Sequence, residues 1–230
     1  MLFGFLYFDW TILLIIPGFI ISLWAQIKVS TTFNKYSKIK TVRGLSGADA
    51  ARRILDANGL SHVKIEQVRG KLTDHYDPRA NVIRLSESVY NSTSPSAIGV
   101  AAHEVGHAIQ YAKNYTPITV RMKIIPVTRF GSMLAMPLFF IGLILANPAL
   151  TMVGLILYSL VVLFQLATLP VEFNASSRAM SALSATGILN EEELRASKKV
   201  LTAAAMTYVA ALLTSLLTLL RLLILSGRRN

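Results

Sequence analysis

Four stretches of the chain are almost wholly apolar, and polar sequence separates the first from the other three. Residues 3–25 are apolar, with Asp9 and Thr11 among the few exceptions and Trp10 and Trp24 near the two ends. A run of that length is enough to cross a bilayer, and tryptophans favour the headgroup level. No Lys or Arg precedes Lys28, unlike the basic start of a signal peptide. The expectation is an uncleaved transmembrane helix with its N-terminus outside. Residues 131–146 and 150–169 are split by Asn147-Pro148 and read as a transmembrane hairpin with a tight external turn. The first of the pair is short for a span. Residues 201–225 form the fourth apolar stretch, interrupted by Arg221 and followed by Arg228 and Arg229. From an external N-terminus, four spans leave this basic tail outside. Arg221 and the tail are then expected to reach headgroups by snorkelling, or the segment to lie along the interface.

Between these stretches the periodicity changes. Residues 46–58 read as an amphipathic helix: Ser46 caps it, Ala50, Ile54 and Leu55 form its apolar side, and Asn58-Gly59 stops it. Residues 63–68 alternate with period two and read as a strand, and residues 81–85 as a second. The intervening residues 74–78 (Asp-His-Tyr-Asp-Pro) have the composition of a turn-rich loop. Ser94-Pro95 starts another helix, with Ser as N-cap and Pro at the first helical position, and Asn114 and Pro117 end it. This helix is apolar almost all round, so it is expected to be buried and central. Residues 170–200 return to polar character, and Asn190 followed by Glu191, Glu192 and Glu193 starts the last helix.

The pattern predicts a mainly α-helical membrane protein. It has about four transmembrane helices and a small α+β part. The parts are residues 1–27, a transmembrane helix; 28–128, a soluble region; 129–170, the hairpin; 171–200, a helix and connector; and 201–230, the last span and tail. Composition agrees: 53% of residues are hydrophobic and 15% charged, below the usual quarter for a soluble chain. The net charge of +11 does not point to nucleic acid. Sixteen of the 23 Lys and Arg lie between Lys28 and Arg129, where a cytoplasmic loop is basic. A multi-pass protein of the plasma membrane, with its soluble region in the cytoplasm, is expected. Cysteine is absent, so any metal must be held by His and carboxylates.

The buried helix carries His103-Glu104-Val105-Gly106-His107. Histidines four apart lie one above the other on a helix face and can bind one zinc ion. Zinc lowers the pKa of a bound water and polarises a carbonyl, and the intervening carboxylate is placed to act as general base. Glu104 is the expected base, with His103 and His107 as metal ligands. A catalytic zinc usually has a third protein ligand. His62 precedes a strand and reads as a surface residue. His75 is one candidate and Glu172 another. On a helix, Glu172 shares its face with Ala175, Ser176, Ala179 and Leu183, which suits packing and not a free carboxylate. An ion pair with Arg178 or with an interfacial Arg is the structural alternative. Tyr76, His75 and Arg178 are candidate donors to a transition-state oxyanion.

A His-Glu-x-x-His helix followed by Glu on a later helix resembles the gluzincin metallopeptidases. The arrangement around a hydrophobic hairpin resembles HtpX-type and CAAX prenyl proteases. Residues 72–78, the His-Glu-Val-Gly-His motif and residues 170–173 together resemble the YugP-type membrane neutral zinc metallopeptidase family. The resemblance implies His103, His107 and Glu172 as zinc ligands and Glu104 as base. Gluzincins commonly place Asp four residues after the ligand Glu, as a partner to a histidine; here that position is Ser176. Weaker metal binding, or another partner for the histidine, is expected from this departure.

The expected function is zinc-dependent hydrolysis of peptide bonds in membrane proteins or membrane-bound peptides at the cytoplasmic interface. The partners are then such a substrate and the bilayer, not nucleic acid. An intramembrane protease with a later Asp ligand fits poorly, because no Asp follows Asp77. The alternatives are a non-catalytic zinc-bound scaffold and a CAAX-like protease on prenylated substrates.

Overall fold

A computed structural model describes residues 9–227. The first part of the expected N-terminal span and Arg228 and Arg229 lie outside the described residues. A 3-10 turn over Trp10–Leu14 leads into α1 (Ile16–Tyr36). Then follow α2 (Gly47–Ala57), β1 (Lys64–Val68), β2 (His75–Asp77), β3 (Val82–Ser86) and the single turn α3 (Glu87–Tyr90). Four further helices complete the chain: α4 (Pro95–Ala112), α5 (Thr116–Ile144), α6 (Pro148–Thr186) and α7 (Glu191–Gly227). Among the described residues four helical segments are long and apolar enough to cross a membrane: Trp10–Tyr36, α5, α6 and α7. The chain is thus a mainly α-helical membrane protein with a small three-stranded sheet.

The chain divides into two compact units. One takes residues up to Trp24, Arg121–Ala167 and those from Tyr208 on. Its α5–α6 hairpin packs at small residues. A Cβ on Gly142 would meet the Thr151 amide nitrogen at 2.4 Å, and one on Gly154 would meet that of Phe139 at 2.5 Å. Small residues of this kind let membrane helices approach closely. Phe139, Leu155 and Leu222 form a buried cluster in this unit. Arg221 has partners within the protein. Its guanidinium meets the Asp9 carboxylate at 2.8 Å, and its Nε donates to the Thr11 hydroxyl at 3.2 Å. Asp9 also accepts from the backbone N–H and hydroxyl of Thr11. The polar residue that interrupts the first apolar stretch therefore pairs with the one that interrupts the last.

The other unit comprises Ala25–Val120 and Thr168–Thr207. Ser46 and Asp49 form the capping box of α2. Ala50, Ala51, Ile54 and Leu55 of α2 join Ala97, Ile98, Ala101, Ala102 and Val105 of α4 in one core. The sheet order is β1-β3-β2. β3 is central, parallel to β1 and antiparallel to β2. Residues 75–77 are strand and not loop. They pair with β3 in the register His75↔Arg84, Tyr76↔Ile83 and Asp77↔Val82. Asp74 anchors the start of this strand by accepting from the Ser86 N–H at 2.7 Å and its hydroxyl at 3.0 Å.

The later helices are longer than the apolar runs. α5 begins at Thr116, so the basic residues Arg121, Lys123 and Arg129 are helical. α6 continues through Pro170 to Thr186. Proline forfeits one backbone hydrogen bond, and a helix with packed neighbours tolerates that loss.

Candidate metal centre

α4 starts as its sequence dictates. The Ser94 hydroxyl accepts the Ala97 N–H at 3.3 Å, and Pro95 occupies the first turn. Lys113 ends the helix, and Asn114 takes a left-handed backbone (φ 49°). The helix is buried nearly all round, with His103, His107 and Gln110 on one face. Gly106 matters here. A Cβ at that position would lie 2.5 Å from the Ala175 carbonyl oxygen of α6, so only glycine allows the two backbones this close. An interior glycine costs the helix about 1 kcal/mol relative to Ala, and close approach to α6 is what it provides.

That approach brings Glu172 to the histidines. Its Oε2 lies 3.2 Å from His103 Nε2 and 3.6 Å from His107 Nε2. The rings of His103 and His107 are edge to face with centroids 4.8 Å apart. The ligating atoms of His103, His107 and Glu172 all lie within 4.8 Å of one another. Glu172 is 3% exposed; a carboxylate so placed needs a compensating charge. Ala175, Ala179 and Leu183, which share its face of α6, are also buried. Glu104 is buried on α4 but stands outside this ligand set.

The field at the site favours a cation. Burial works against a charged His107, yet hydrogen bonding to Glu172 and the charges of Glu104 and Glu172 outweigh it. The imidazole is thereby held above its usual range. Two imidazole nitrogens and a carboxylate converging on one point are the donor set of a His₂Glu zinc centre, so the residues fit the metal.

The Nδ1 atoms are tied on the far side. His103 Nδ1 lies 3.1 Å from the Ser176 hydroxyl. Ser176 thus occupies both the place and the contact expected of an Asp. His107 Nδ1 lies 2.9 Å from Gln110 Oε1. The Gln110 amide nitrogen donates to the Val171 carbonyl at 2.8 Å and to Asn174 Oδ1 at 3.0 Å. Gln110 escaped the reading of the sequence, although its i, i+3 spacing from His107 and its polarity in an apolar helix were visible signals.

The other candidates lie elsewhere. His62 is exposed. His75 is exposed on β2, with its Nδ1 2.9 Å from the Thr73 carbonyl. Tyr76 donates to Asn81 Oδ1 at 3.0 Å, and its ring meets that of Tyr111, four residues beyond His107, at 5.6 Å. The Nε of Arg178 goes to Asn174 Oδ1 at 2.7 Å, and its guanidinium lies over the Tyr115 ring.

The family described as putative neutral zinc metallopeptidase matches residues 11–227. A relative from Bacillus subtilis (strain 168), described as putative membrane protease YugP, is 52% identical over 219 residues. That alignment covers 94% of this chain and 97% of the relative. No solved structure matches the chain. A match over nearly the whole length, on a chain whose paired histidines and buried glutamate meet at one point, places this membrane protein in the putative neutral zinc metallopeptidase family.

Proposed function

We propose that the chain is a membrane-embedded zinc endopeptidase that hydrolyses peptide bonds of membrane proteins or membrane-bound peptides at the cytoplasmic interface. The observation that carries this reading is the convergence of His103, His107 and Glu172 from two helices, with Glu104 beside the set and not in it. His103 and His107 would hold the metal through Nε2, and Glu172 would hold it through its carboxylate. Zinc in that place supplies Lewis acidity, lowering the pKa of a water towards about 7 and polarising the scissile carbonyl. Glu104 takes the proton of the attacking water as the carbon–oxygen bond forms. It returns that proton to the amine as the carbon–nitrogen bond breaks.

Two features support a membrane-bound substrate. Residues 150–169 of α6, at about 1.5 Å per residue, cover roughly the 30 Å of a hydrocarbon core. Glu172 follows within one turn of the same helix. Strand β2 lies at an edge of its sheet and is tied to α4 through Tyr76 and Tyr111. An extended peptide can add to such an edge through backbone hydrogen bonds.

The experiment that tests the chemistry is Glu104→Gln in protein purified in detergent. The variant keeps zinc and its fold, and loses hydrolysis of a casein or membrane-protein substrate by about 10²–10⁴-fold, the usual worth of a general base. Unchanged hydrolysis overturns the mechanism. A scaffold shows no hydrolysis in the wild type either.

The sidedness rests on the distribution of Lys and Arg. The native chain has no cysteine, so one introduced as Ser61→Cys is a clean probe. It is shielded from an impermeant thiol reagent in intact cells if the catalytic region is cytoplasmic. Ready labelling inverts the topology.

A further inference from the structure

We propose that Gln110, with Asn174 and Arg178 behind it, is a positioning relay that fixes the tautomer and orientation of His107. The inference rests on the zinc-site reading above. Its logic begins at Arg178, whose guanidinium can only donate. The Nε of Arg178 donates to the Asn174 side chain at 2.7 Å, so the Asn174 atom in that place is the amide oxygen. The same oxygen lies 3.0 Å from an atom of the Gln110 amide, which must therefore be the nitrogen. The Val171 carbonyl, an obligate acceptor, meets that nitrogen at 2.8 Å. Two independent acceptors thus set the direction of an amide that is otherwise a matter of assignment.

The remaining end of Gln110 is its oxygen, 2.9 Å from His107 Nδ1. An amide oxygen carries no hydrogen, so Nδ1 holds the proton. In the neutral ring, the form that binds a metal, the lone pair is then on Nε2, the nitrogen turned towards Glu172. Gln110 is fully buried, so water does not compete for these bonds, and hydrogen bonds are stronger in such surroundings. Val171 and Asn174 also flank Glu172 on α6. One side chain therefore orients one ligand and holds the stretch of helix that bears another. His103 has no equivalent. The Ser176 hydroxyl can donate or accept, and it leaves the tautomer of that ring open.

The test uses full-length protein in detergent, with zinc alone as the ligand and no activity measurement. The chain has four histidines, so ¹⁵N-histidine spectra of the zinc-loaded protein can be assigned by single replacements. His107 shows a protonated Nδ1, with Nε2 as the metal-bound nitrogen. Gln110→Met keeps the side-chain volume and removes both polar ends. In a chelator competition its zinc affinity falls about 10–100-fold, the range for lost outer partners of a ligand. Asn174→Asp still accepts from Arg178 and Gln110 and retains wild-type affinity, whereas Asn174→Leu lowers it. Should Gln110→Met fail to fold, the wild-type spectrum and the Asn174 pair decide. Zinc on Nδ1 of His107 overturns the relay, as does unchanged affinity in Gln110→Met or equal affinity in the two Asn174 variants. A wild-type chain that binds no zinc overturns the metallopeptidase reading itself, and the relay with it.

Discussion

Two clusters of charge among the described residues, one in each compact unit, are built on opposite plans. At Asp9, Thr11 and Arg221 every group meets its complement. The carboxylate faces a guanidinium, and the hydroxyl and backbone N–H of Thr11 take up the remaining capacity. The charges cancel within the cluster. At His103, His107 and Glu172 three groups able to ligate a metal converge, and partners that orient the rings lie on their far sides. That cluster carries the donor set of a metal site. A closed cluster fastens helices; an open one offers its donors to a metal ion. The residue types alone do not separate the two, since both bury a carboxylate against nitrogen. What separates them is that only the second brings two imidazoles and a carboxylate to one point.

The largest effect expected is at the open cluster. Glu172→Ala removes a ligand and not merely an outer partner, so zinc affinity falls by more than the roughly 100-fold upper figure for the latter. Metal analysis after dialysis shows the loss directly, and full retention removes Glu172 from the site. The closed cluster responds differently. Arg221→Leu or Asp9→Leu alone leaves a charge without its partner, at a cost of about 1–3 kcal/mol. The double replacement recovers most of that stability, because removing both partners also removes the desolvation problem. Thermal unfolding of the four forms in detergent gives the comparison. Additive losses in the double variant would show that the two residues do not act as a pair.

The two clusters also differ in how far the sequence discloses them. The motif helix reads directly, because its cap, its apolar surround and its histidines all lie within residues 94–112. Glu172 is visible through its neighbours, since a carboxylate on a face of Ala and Leu asks for a partner. The pair of Asp9 and Arg221 was not read. Each interrupts an apolar stretch, but 212 positions separate them, and no periodicity links residues so far apart. Strand β2 was missed for another reason. Asp74, His75, Asp77 and Pro78 have turn composition, yet the open edge of β3 and the bonds from Asp74 to Ser86 impose an extended backbone. The full lengths of α5 and α6 were hidden because a helix does not end where its apolar run ends. Packing and the backbone hydrogen bonds on either side of the proline carry α6 past Pro170.

The smallest effect concerns Ser176, the position where an Asp would be usual. A hydroxyl is a neutral partner for His103 Nδ1, whereas a hydrogen bond to a carboxylate is charge-assisted and roughly twice as strong. Ser176→Ala removes the partner altogether. Its zinc affinity is expected to fall about 10-fold, the low end for such partners, because the bond lost is a weak one. Ser176→Asp supplies a carboxylate on the same face of α6, one turn beyond Glu172. It raises the basicity of the ring and is expected to tighten zinc binding relative to the wild type. Chelator competition on the three forms gives the order Asp above Ser above Ala. An Asp variant weaker than the wild type would mean that the space beside His103 is cut to a hydroxyl. Ser176 would then be a requirement of the close packing that Gly106 permits, and not a weaker substitute for a carboxylate.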